Sequence, residues 1–367
     1  MTDNIRNIPE VSVSRTSRLR PLVLLPLVLA LTVLGACTSS GATSASSGGT
    51  AGAAGTPVRL GFFPNITHAP ALVGVEQGLF AKELGSTPLE TKSFNAGPAA
   101  VEALFGDALD ITYIGPNPSI NAYQKSKGEA VRIVSGSTSG GAYFVVKPEI
   151  TSAQDLKGKT VASPQLGNTQ DVALRSWLKQ QGLSTDASGG GDVSIKPQEN
   201  ADSLSAFKAG QIAGAWVPEP WATRLVQEGG GKVLVDEKTL WPEGKYVTTN
   251  ILVRKAFLDE HPDLVKKVLQ GHLASLDEIA KNPADAQKAA NDQIEKLTQK
   301  RLPDSVVTAS WPNLAFTYDP LAATLQKSAN DAKAVGQLQD TNLSGIYDLK
   351  ILNELLKAKG QPEAKGL

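Results

Sequence analysis

From Val58 onward, short apolar runs alternate with longer amphipathic stretches, and this alternation limits the fold more than any other feature of the sequence. Short apolar runs are typical of buried strands, and apolar residues repeating every three or four positions are typical of helices. Strands that alternate with helices favour an α/β domain with a largely parallel sheet. In this first series we predict strands at 58–63, 89–94 and 109–114, and helices at 69–80, 99–105 and 118–124.

A second series of the same kind begins near Gly158. It predicts strands at 159–164, 193–197, 213–217 and 232–236, and helices at 168–180, 202–208 and 221–228. Two long β-type runs, 142–150 and 246–253, separate the series, and beyond Asp259 prolines punctuate a helical region. We therefore expect two α/β lobes joined by a two-segment hinge, with lobe 1 at 57–147 plus 250–367 and lobe 2 at 148–249. Because ligands bind beyond the carboxyl ends of strands in open α/β sheets, a cleft between the lobes is expected.

The two series also resemble each other at a constant offset of 103 residues. Leu104 then aligns with Phe207, and Tyr113 aligns with Trp216, without a gap. Each series has a helix, a turn with glycine, a strand ending in an aromatic residue, and a loop with proline. Chance similarity between two β-α-β units is the alternative.

The N-terminal segment has the layout of a secretory signal peptide, with basic residues followed by the apolar run 21–33. That run is too short to span a membrane, which takes roughly 20 apolar residues. The next residues, Leu-Gly-Ala-Cys at 34–37, resemble the lipobox of bacterial lipoproteins. The resemblance implies cleavage of residues 1–36, a lipid on Cys37, and attachment to the outer face of a membrane. Residues 38–56 are Ser, Thr, Gly and Ala throughout, and we expect a flexible tether.

Composition excludes several classes of function. Lys and Arg together number 36, as do Asp and Glu, so no basic surface for nucleic acid is expected. Cys37 is the only cysteine, which leaves the folded body without a disulfide, a cysteine-ligated metal or a thiol nucleophile. Among the histidines, His261 and His272 lie in a charged helical region and are expected to be solvated. We expect no metal and no cofactor.

Motifs for catalysis are sparse. No phosphate-binding loop, dinucleotide-binding motif or nucleophile elbow occurs. The acidic residues fall on predicted helix faces or loops, where no apolar setting would raise a pKa. A surface hydrolase or transferase would need a nucleophile and a base in the cleft, and the sequence offers only His68 with Asp171 or Glu219 for these roles. We therefore predict that the chain is not an enzyme.

Motifs for binding are richer. A strand end passes through Gly167 into Asn168 or Thr169 as the cap of a helix, and the free N–H groups of such a helix start hold anions. Trp216 and Trp221 flank Pro-Glu-Pro at a strand-to-helix turn, and Trp216 is expected to form a wall of the cleft, with core packing as the alternative. Small polar residues also follow the predicted strand 89–94, at 95–97, and a further predicted strand at 130–134, at 135–141.

The order of these loops resembles the nitrate/sulfonate/taurine-type solute-binding proteins of ABC importers, which have a type II periplasmic-binding-protein fold. The segments that carry the resemblance are NAGPAAVEAL, DITYIGPNP, DLKGKTVASPQLGNT and FKAGQIAGAWVPEPW, and it extends from about Val58 to Lys359. It implies a two-lobed receptor that closes on a small solute and delivers it to a membrane permease with its ATPase.

Carried over by motif, the resemblance also implies that the ligand-facing loops are 63–68, 96–98, 114–117, 137–143, 167–170, 216–219 and 248–250. Sulfonate-binding members have a serine-rich start on the corresponding helix of lobe 2, whereas here it reads Gly-Asn-Thr-Gln at 167–170, which argues against a sulfonate. An aromatic or pyrimidine-like ligand, favoured by Tyr113, Trp216 and Trp221, competes with a small oxyanion. The expected ligand-binding residues are Asn65, His68, Gly97, Tyr113, Gly115, Asn117, Ser137, Gly141, Asn168, Thr169, Gln170, Trp216, Glu219 and Thr249.

Overall fold

The structure is a computed structural model that describes residues 56–186 and 188–367. The predicted signal peptide, the lipidation site at Cys37 and nearly all of the tether lie outside the described residues. No helix among the described residues combines the length and the apolar character that a membrane span requires.

The strands of the described residues form two sheets. Apolar residues dominate the central strands, which are buried on both faces, whereas the edge strand at 89–93 exposes Glu90, Thr91 and Ser93. In chain order the strands are β1 Val58–Phe62, β2 Leu89–Ser93, β3 Ile111–Ile114, β4 Val131–Gly140, β5 Ala142–Val146, β6 Thr160–Ser163, β7 Ser194–Pro197, β8 Gly214–Pro218, β9 Lys232–Asp236, β10 Val247–Arg254 and β11 Leu314–Phe316.

The two sheets share one strand order. The first sheet runs β2-β1-β3-β10-β4-β11 and the second runs β7-β6-β8-β5-β9. In each sheet the first three strands are parallel, and the fourth strand, β10 or β5, is antiparallel to both of its neighbours. Here lobe 1 means the first sheet with the helices that cover it, and lobe 2 means the second sheet with its helices.

Helices cover both faces of each sheet. Proline at the first or second position begins several of them, where its missing N–H costs no intrahelical bond. The α-helices of the described residues are α1 Ala69–Glu76, α2 Leu79–Leu84, α3 Gly97–Phe105, α4 Pro116–Lys125, α5 Thr169–Gln180, α6 Asn200–Lys208, α7 Trp221–Gln227, α8 Lys255–Glu260, α9 Pro262–Lys281, α10 Pro283–Thr298, α11 Asp304–Ser310, α12 Ala322–Ala334 and α13 Lys350–Ala358.

Each sheet has an apolar core on both faces. In lobe 1, α1, α9 and α10 cover one face, and α3, α4 and α12 cover the other. In lobe 2, α5 packs on one face, and α6 and α7 pack on the other. The α/β prediction is confirmed, and the helical region predicted beyond Asp259 is present with the short strand β11 added to it.

The elements align at the offset of 103 residues that the sequence shows. Helix α3, Gly97–Phe105, and helix α6, Asn200–Lys208, have this offset at both ends. Strands β3 and β8 begin 103 residues apart as well, and Tyr113 and Trp216 are both fully buried within them.

Strand β4 is longer than predicted. The sequence places a loop at 135–141, but the strand continues to Gly140, because Ser135 and Thr138 have backbone partners in β10 and β11. Strand β5 lies before the predicted boundary at 147/148, in the part predicted as lobe 1, but it pairs in the second sheet. Strand β10, which the predicted boundary at 249/250 divides, pairs in the first sheet.

Candidate ligand-binding site

A small cavity lies where the carboxyl ends of strands from both sheets meet. Its volume is about 20 Å³, slightly more than the roughly 10–15 Å³ that one water molecule requires. The two lobes are therefore nearly closed on each other. The lining residues are Phe63, Asn65, Thr67, His68, Asn95 and Gly115 on lobe 1, Asn168, Thr169, Gln170, Asn200 and Pro218 on lobe 2, and Thr248 of β10.

The lining is polar but carries no formal charge. Four asparagines, three threonines, one glutamine and one histidine line the cavity, without Lys, Arg, Asp or Glu among the twelve lining residues. Among the described residues, no cluster of three or more His, Cys, Asp or Glu side chains could hold a metal ion. A ligand in this cavity would be held by hydrogen bonds and dipoles.

Several helices begin at this cavity. The cap of α5 is Asn168, α6 begins at Asn200, and α4 begins directly after Gly115. None of the three has a side-chain hydrogen bond at its cap, so the first N–H groups of α5 and α6 are not used by a capping side chain, whereas α4 begins with Pro116 and Pro118, which have no N–H. Uncapped helix starts present N–H donors and partial positive charge, which suit an anionic group.

Two lining side chains have polar atoms without a partner. Thr169 is 6% exposed and its Oγ1 makes no hydrogen bond, and the same is true of Oδ1 of Asn200, also 6% exposed. A buried polar atom without a partner destabilises the folded protein by about 1–3 kcal/mol. These two atoms, at the starts of α5 and α6, are available to a bound ligand.

His68 is held as a neutral imidazole. Its Nδ1 accepts a hydrogen bond from the backbone N–H of Phe63 at 3.3 Å, and the two rings stack with centroids 4.3 Å apart. Burial lowers the pKa of His68 to about 3, because the charged form would lose its hydration. The histidine therefore supplies a polar edge and shape to the cavity, not a positive charge.

Direct contacts across the cavity join the lobes. Nε1 of Trp221 donates to Oδ1 of Asn65 at 2.9 Å, and the backbone N–H of Gly97 donates to Oδ1 of Asn168 at 3.3 Å. Gly115 lies so close to lobe 2 that a Cβ atom there would stand 2.3 Å from Oγ1 of Thr169.

Six of the predicted site residues line the cavity, and a seventh borders it. Gly97 reaches the cavity only through its hydrogen bond to Asn168. The six are Asn65, His68, Gly115, Asn168, Thr169 and Gln170.

The structure places two predicted aromatic residues in the cores. Trp216 is 0% exposed, stacks on Phe144 with centroids 5.5 Å apart, and donates from Nε1 to Glu237 at 2.7 Å. Tyr113 is also 0% exposed, and its hydroxyl lies 3.0 Å from Nδ1 of His272. Strands β3 and β8 continue beyond these two aromatic residues. The residues that line the cavity are therefore Gly115 and Pro218, each two positions further along the chain.

The remaining predicted residues lie near the cavity or elsewhere between the lobes. Asn117 lines a separate interlobe cavity and donates to the carbonyl of Ser328. Thr249 donates to the carbonyl of Thr67, which holds a lining residue in place. Ser137 lies inside β4, and Gly141 lies beside Leu314 and Glu219.

Glu219 is buried and its carboxylate is already bonded by protein groups. It accepts from the N–H and hydroxyl of Thr223 and from Nδ2 of Asn313, and Oγ of Ser310 lies 3.3 Å away. Asn313 belongs to the segment between α11 and β11, so this contact joins the lobes.

Two expectations from the sequence are wrong. His272 was expected to be solvated, but it is 0% exposed because α9 buries it against Tyr113, and burial lowers its pKa to about 3. The acidic residues were expected to lack an apolar setting, but burial raises the pKa of Glu237 to about 7 and also raises that of Glu219. His261 is partly exposed.

The residues missed by the sequence reasoning could in part have been found from the repeat. At the offset of 103, Asn65 corresponds to Asn168, Thr67 to Gln170, Gly97 to Asn200 and Gly115 to Pro218, and all but Gly97 line the cavity. Asn200 lies outside the loops that the resemblance predicts to face the ligand, whereas Thr67 and Pro218 lie inside the predicted loops 63–68 and 216–219.

The chain is similar to known binding proteins. Over 228 residues it is 29% identical to the taurine-binding periplasmic protein of Escherichia coli, a match that covers 60% of this chain and 68% of the relative. The chain thus spans about two thirds of the length of that relative. Over 273 residues it is 24% identical to the nitrate/nitrite binding protein NrtA of a Nostoc species, covering 65% of this chain and 60% of the relative.

Solved structures share the fold. The periplasmic nitrate-binding protein NrtA of Synechocystis has a TM-score of 0.71 and 17% identity, with 85% of this chain and 92% of that chain covered. The alkanesulfonate-binding protein SsuA of Xanthomonas axonopodis, solved bound to MOPS, has a TM-score of 0.66 and 20% identity, with 79% and 97% covered. The fold is therefore that of these periplasmic binding proteins. The model of the NMT1-like family matches residues 51–292, about two thirds of the sequence, and the chain belongs to that family.

Proposed function

We propose that this protein is the solute-binding component of an ABC importer, and that it binds a small anionic or polar solute in the cavity between the lobes. The observation that carries the proposal is a pair of unpartnered atoms at the starts of α5 and α6: the hydroxyl Oγ1 of Thr169, which can donate to an anionic oxygen, and the amide Oδ1 of Asn200, which can only accept from a polar group of the solute. Membership of the NMT1-like family and the names of its relatives support the same role. The permease and the ATPase would be its partners.

The lining favours a solute that is anionic in one part. Uncapped helix starts offer N–H donors, and no carboxylate lines the cavity to repel an anion. Nitrate, a sulfonate and taurine, the solutes in the names of relatives, are all candidates, although the start of α5 without serine weighs against the two sulfonate-type solutes. The volume of about 20 Å³ means that the lobes must separate to admit a solute.

An aromatic or pyrimidine-like solute is the second candidate. Its support is the stacked pair of Phe63 and His68 in the lining, together with Trp221 at its edge. Tyr113 and Trp216 no longer support it, since both lie in the cores.

We also propose that Cys37 carries lipid and that residues 38–56 hold the body at the outer face of a membrane. The lipobox-like residues 34–37 after an apolar run are the support. The absence of catalytic activity belongs to the same proposal.

Calorimetry on the purified full chain tests the proposal. Taurine, ethanesulfonate, nitrate and a thiamine-type pyrimidine are titrated separately, and mass spectrometry identifies what co-purifies. We expect one anionic solute to bind, Asn200→Asp to weaken it at least about tenfold by adding a negative charge, and exposed Asn330→Ala to leave it unchanged. Binding of the pyrimidine alone would favour the second candidate, and binding of none of the four with nothing co-purifying would contradict both.

A further inference from the structure

Asp171 connects the loop that precedes α5 with three side chains around it. The side chain is 0% exposed. Its Oδ1 accepts from the hydroxyl of Ser163 at 2.6 Å, where β6 ends. Its Oδ2 accepts from the N–H of Gly167 at 3.1 Å, from Nε of Arg175 at 3.1 Å, and from Nε2 of Gln337 at 2.6 Å.

The loop held by this carboxylate presents the candidate site. Gly167 has a φ of +77°, a conformation that favours glycine, and is followed by Asn168 and Thr169 in the cavity lining. The carbonyl of Gly167 accepts from Nδ2 of Asn121 on α4 at 3.4 Å. The peptide groups of Gly167 are thus bonded on one side by Asp171 and on the other by lobe 1.

Gln337 is the group among these partners of Asp171 that comes from lobe 1. It follows α12, whose Leu325, Ala329 and Ala332 are buried in the core beneath the first sheet. A second contact from the same segment lies close by, because the carbonyl of Ala334 accepts from Nζ of Lys179 at the other end of α5. The segment 322–337 therefore contacts both ends of α5.

The orientation of Gln337 shows which of its atoms matters. The amide nitrogen donates at 2.6 Å, whereas Oε1 is buried without a partner. A donor to a carboxylate forms one of the stronger hydrogen bonds in proteins, and it outweighs an unsatisfied neutral oxygen.

We propose that Gln337 is a positioning residue, which acts through Asp171 to set the loop 164–170 when the lobes close. When the lobes open, Gln337 leaves the carboxylate and the loop loses its contact with lobe 1. When they close, the bond forms again, and the loop presents Asn168 and Thr169 to the solute. The proposal rests on the proposed function only where solute affinity is concerned.

Hydrogen exchange in the unliganded full chain tests the contact without any solute. Gln337→Met removes the donor and keeps a side chain of similar size. Gln337→Glu removes the donor as well and places a second negative charge against Asp171. Gln337→Lys keeps a donor at this position. We expect exchange in a peptide covering 164–172 to be about threefold faster in the Met variant, about tenfold faster in the Glu variant, and unchanged in the Lys variant.

Two controls separate a local effect from general loosening. Lys333→Ala changes an exposed residue of α12 and is expected to leave exchange unchanged. A peptide covering 214–218 in β8 is expected to exchange alike in all variants. Equal exchange at 164–172 in wild type, Met and Glu variants would overturn the proposal, as would a Lys variant that exchanges as fast as the Glu variant. If the Glu variant does not fold, the comparison of Met with Lys decides.

The affinity measurement uses taurine and ethanesulfonate as probes. Where wild type binds one of them, the Met and Glu variants should bind it about threefold and tenfold more weakly and the Lys variant equally well. Unchanged affinity in the Met and Glu variants would overturn the link to solute binding. If neither probe binds wild type, the solute is neither of these two sulfonates, and the exchange result alone decides the role of Gln337.

Discussion

Asn65 and Asn168 occupy corresponding positions in the two halves of the chain, 103 residues apart, and the side-chain oxygen of each accepts a hydrogen bond from the opposite lobe. The donor to Asn65 is Nε1 of Trp221 on lobe 2, and the donor to Asn168 is the N–H of Gly97 on lobe 1. Both asparagines also line the cavity. Closure of the lobes and formation of the site therefore depend on the same pair of side chains.

Trp221→Phe tests the first of these bonds. The change removes the indole N–H and keeps an aromatic ring, so the closed form loses about 1 kcal/mol and the affinity for the solute should fall about fivefold. Calorimetry measures the affinity, and thermal melts should show little change in the unliganded protein. In an Asn65→Ala background the same change should have almost no further effect, and a full additional loss there would show that Trp221 acts through other contacts.

Trp216→Ala separates a core role from a ligand role. Trp216 packs between Phe144 and Trp177 in lobe 2, and its removal should destabilise the protein by about 3–5 kcal/mol. Urea unfolding measures this loss. Where the variant is still folded, its affinity for the solute should be close to that of wild type. A stable variant that no longer binds would place Trp216 in the site after all.

The periodicity of the sequence was sufficient to predict most of the fold. Short apolar runs identified strands such as β1, β6 and β9 to within about a residue at each end, because burial on both faces requires continuous apolar sequence. The predicted strand ends before the observed β4 does, because Ser135, Ser137 and Thr138 have the composition of a polar loop. The backbones of Ser135 and Thr138 pair with β10 and β11, and those strands are more than 100 residues away in sequence.

The site was predicted only in part, and the reason is the direction of side chains at strand ends. Trp216 and Tyr113 looked like cleft residues because each is a large aromatic near the end of a strand. Successive side chains of a strand point to opposite faces, and these two point into helix-covered cores. Contacts such as Trp221 with Asn65 depend on how the lobes meet, which no local pattern encodes.

Glu237→Gln should change how stability depends on pH. Burial raises the pKa of Glu237 from its ordinary 4.5 to about 7. The N–H groups of Trp216 and Trp241 and the charge of Lys327 lower this pKa, and the charge of Asp331 raises it further. Between those pH values the folded protein binds more protons than the unfolded chain. The contribution of Glu237 to stability is therefore greatest below pH 4.5 and falls as the pH rises to 7.

The glutamine variant should be up to about 3 kcal/mol more stable than wild type above pH 7 and nearly equal to it near pH 4.5. Urea unfolding across this range measures the difference. The contributions of His68 and His272 to stability rise with pH instead of falling, since burial lowers the pKa of each to about 3. Wild type and the glutamine variant share both histidines, so these contributions cancel in the difference. Exposed Glu354→Gln is the matched control. A constant difference across the pH range would contradict the prediction.

Cys37→Ala tests the lipid anchor. No other cysteine is present to take lipid, so the variant should accumulate as an unprocessed precursor or appear in the soluble fraction. Fractionation with metabolic labelling by a fatty acid measures both outcomes. A processed variant that stays in the membrane would contradict lipidation at this residue.

Gly115→Ala should prevent the lobes from closing. The backbone φ of Gly115 is −71°, which alanine adopts freely, so the substitution acts through its methyl group alone. That carbon would lie 2.3 Å from Oγ1 of Thr169, a distance that real contacts do not reach. Because the clash exists only when the lobes meet, the affinity for the solute should fall at least about tenfold, while the separated lobes keep their packing.

Small-angle scattering of the unliganded variant should show a larger radius of gyration, and calorimetry gives the affinity. In a Thr169→Ala background the methyl group added by Gly115→Ala meets a Cβ atom at 3.4 Å instead of a hydroxyl. The substitution should then lower the affinity for the solute only slightly. Gly106→Ala, at the end of α3 where the nearest atom is the carbonyl of Glu102 at 3.2 Å, controls for the added methyl group. If Gly115→Ala binds like wild type with an unchanged radius, the lobes do not meet at Gly115 and Thr169 in the liganded form.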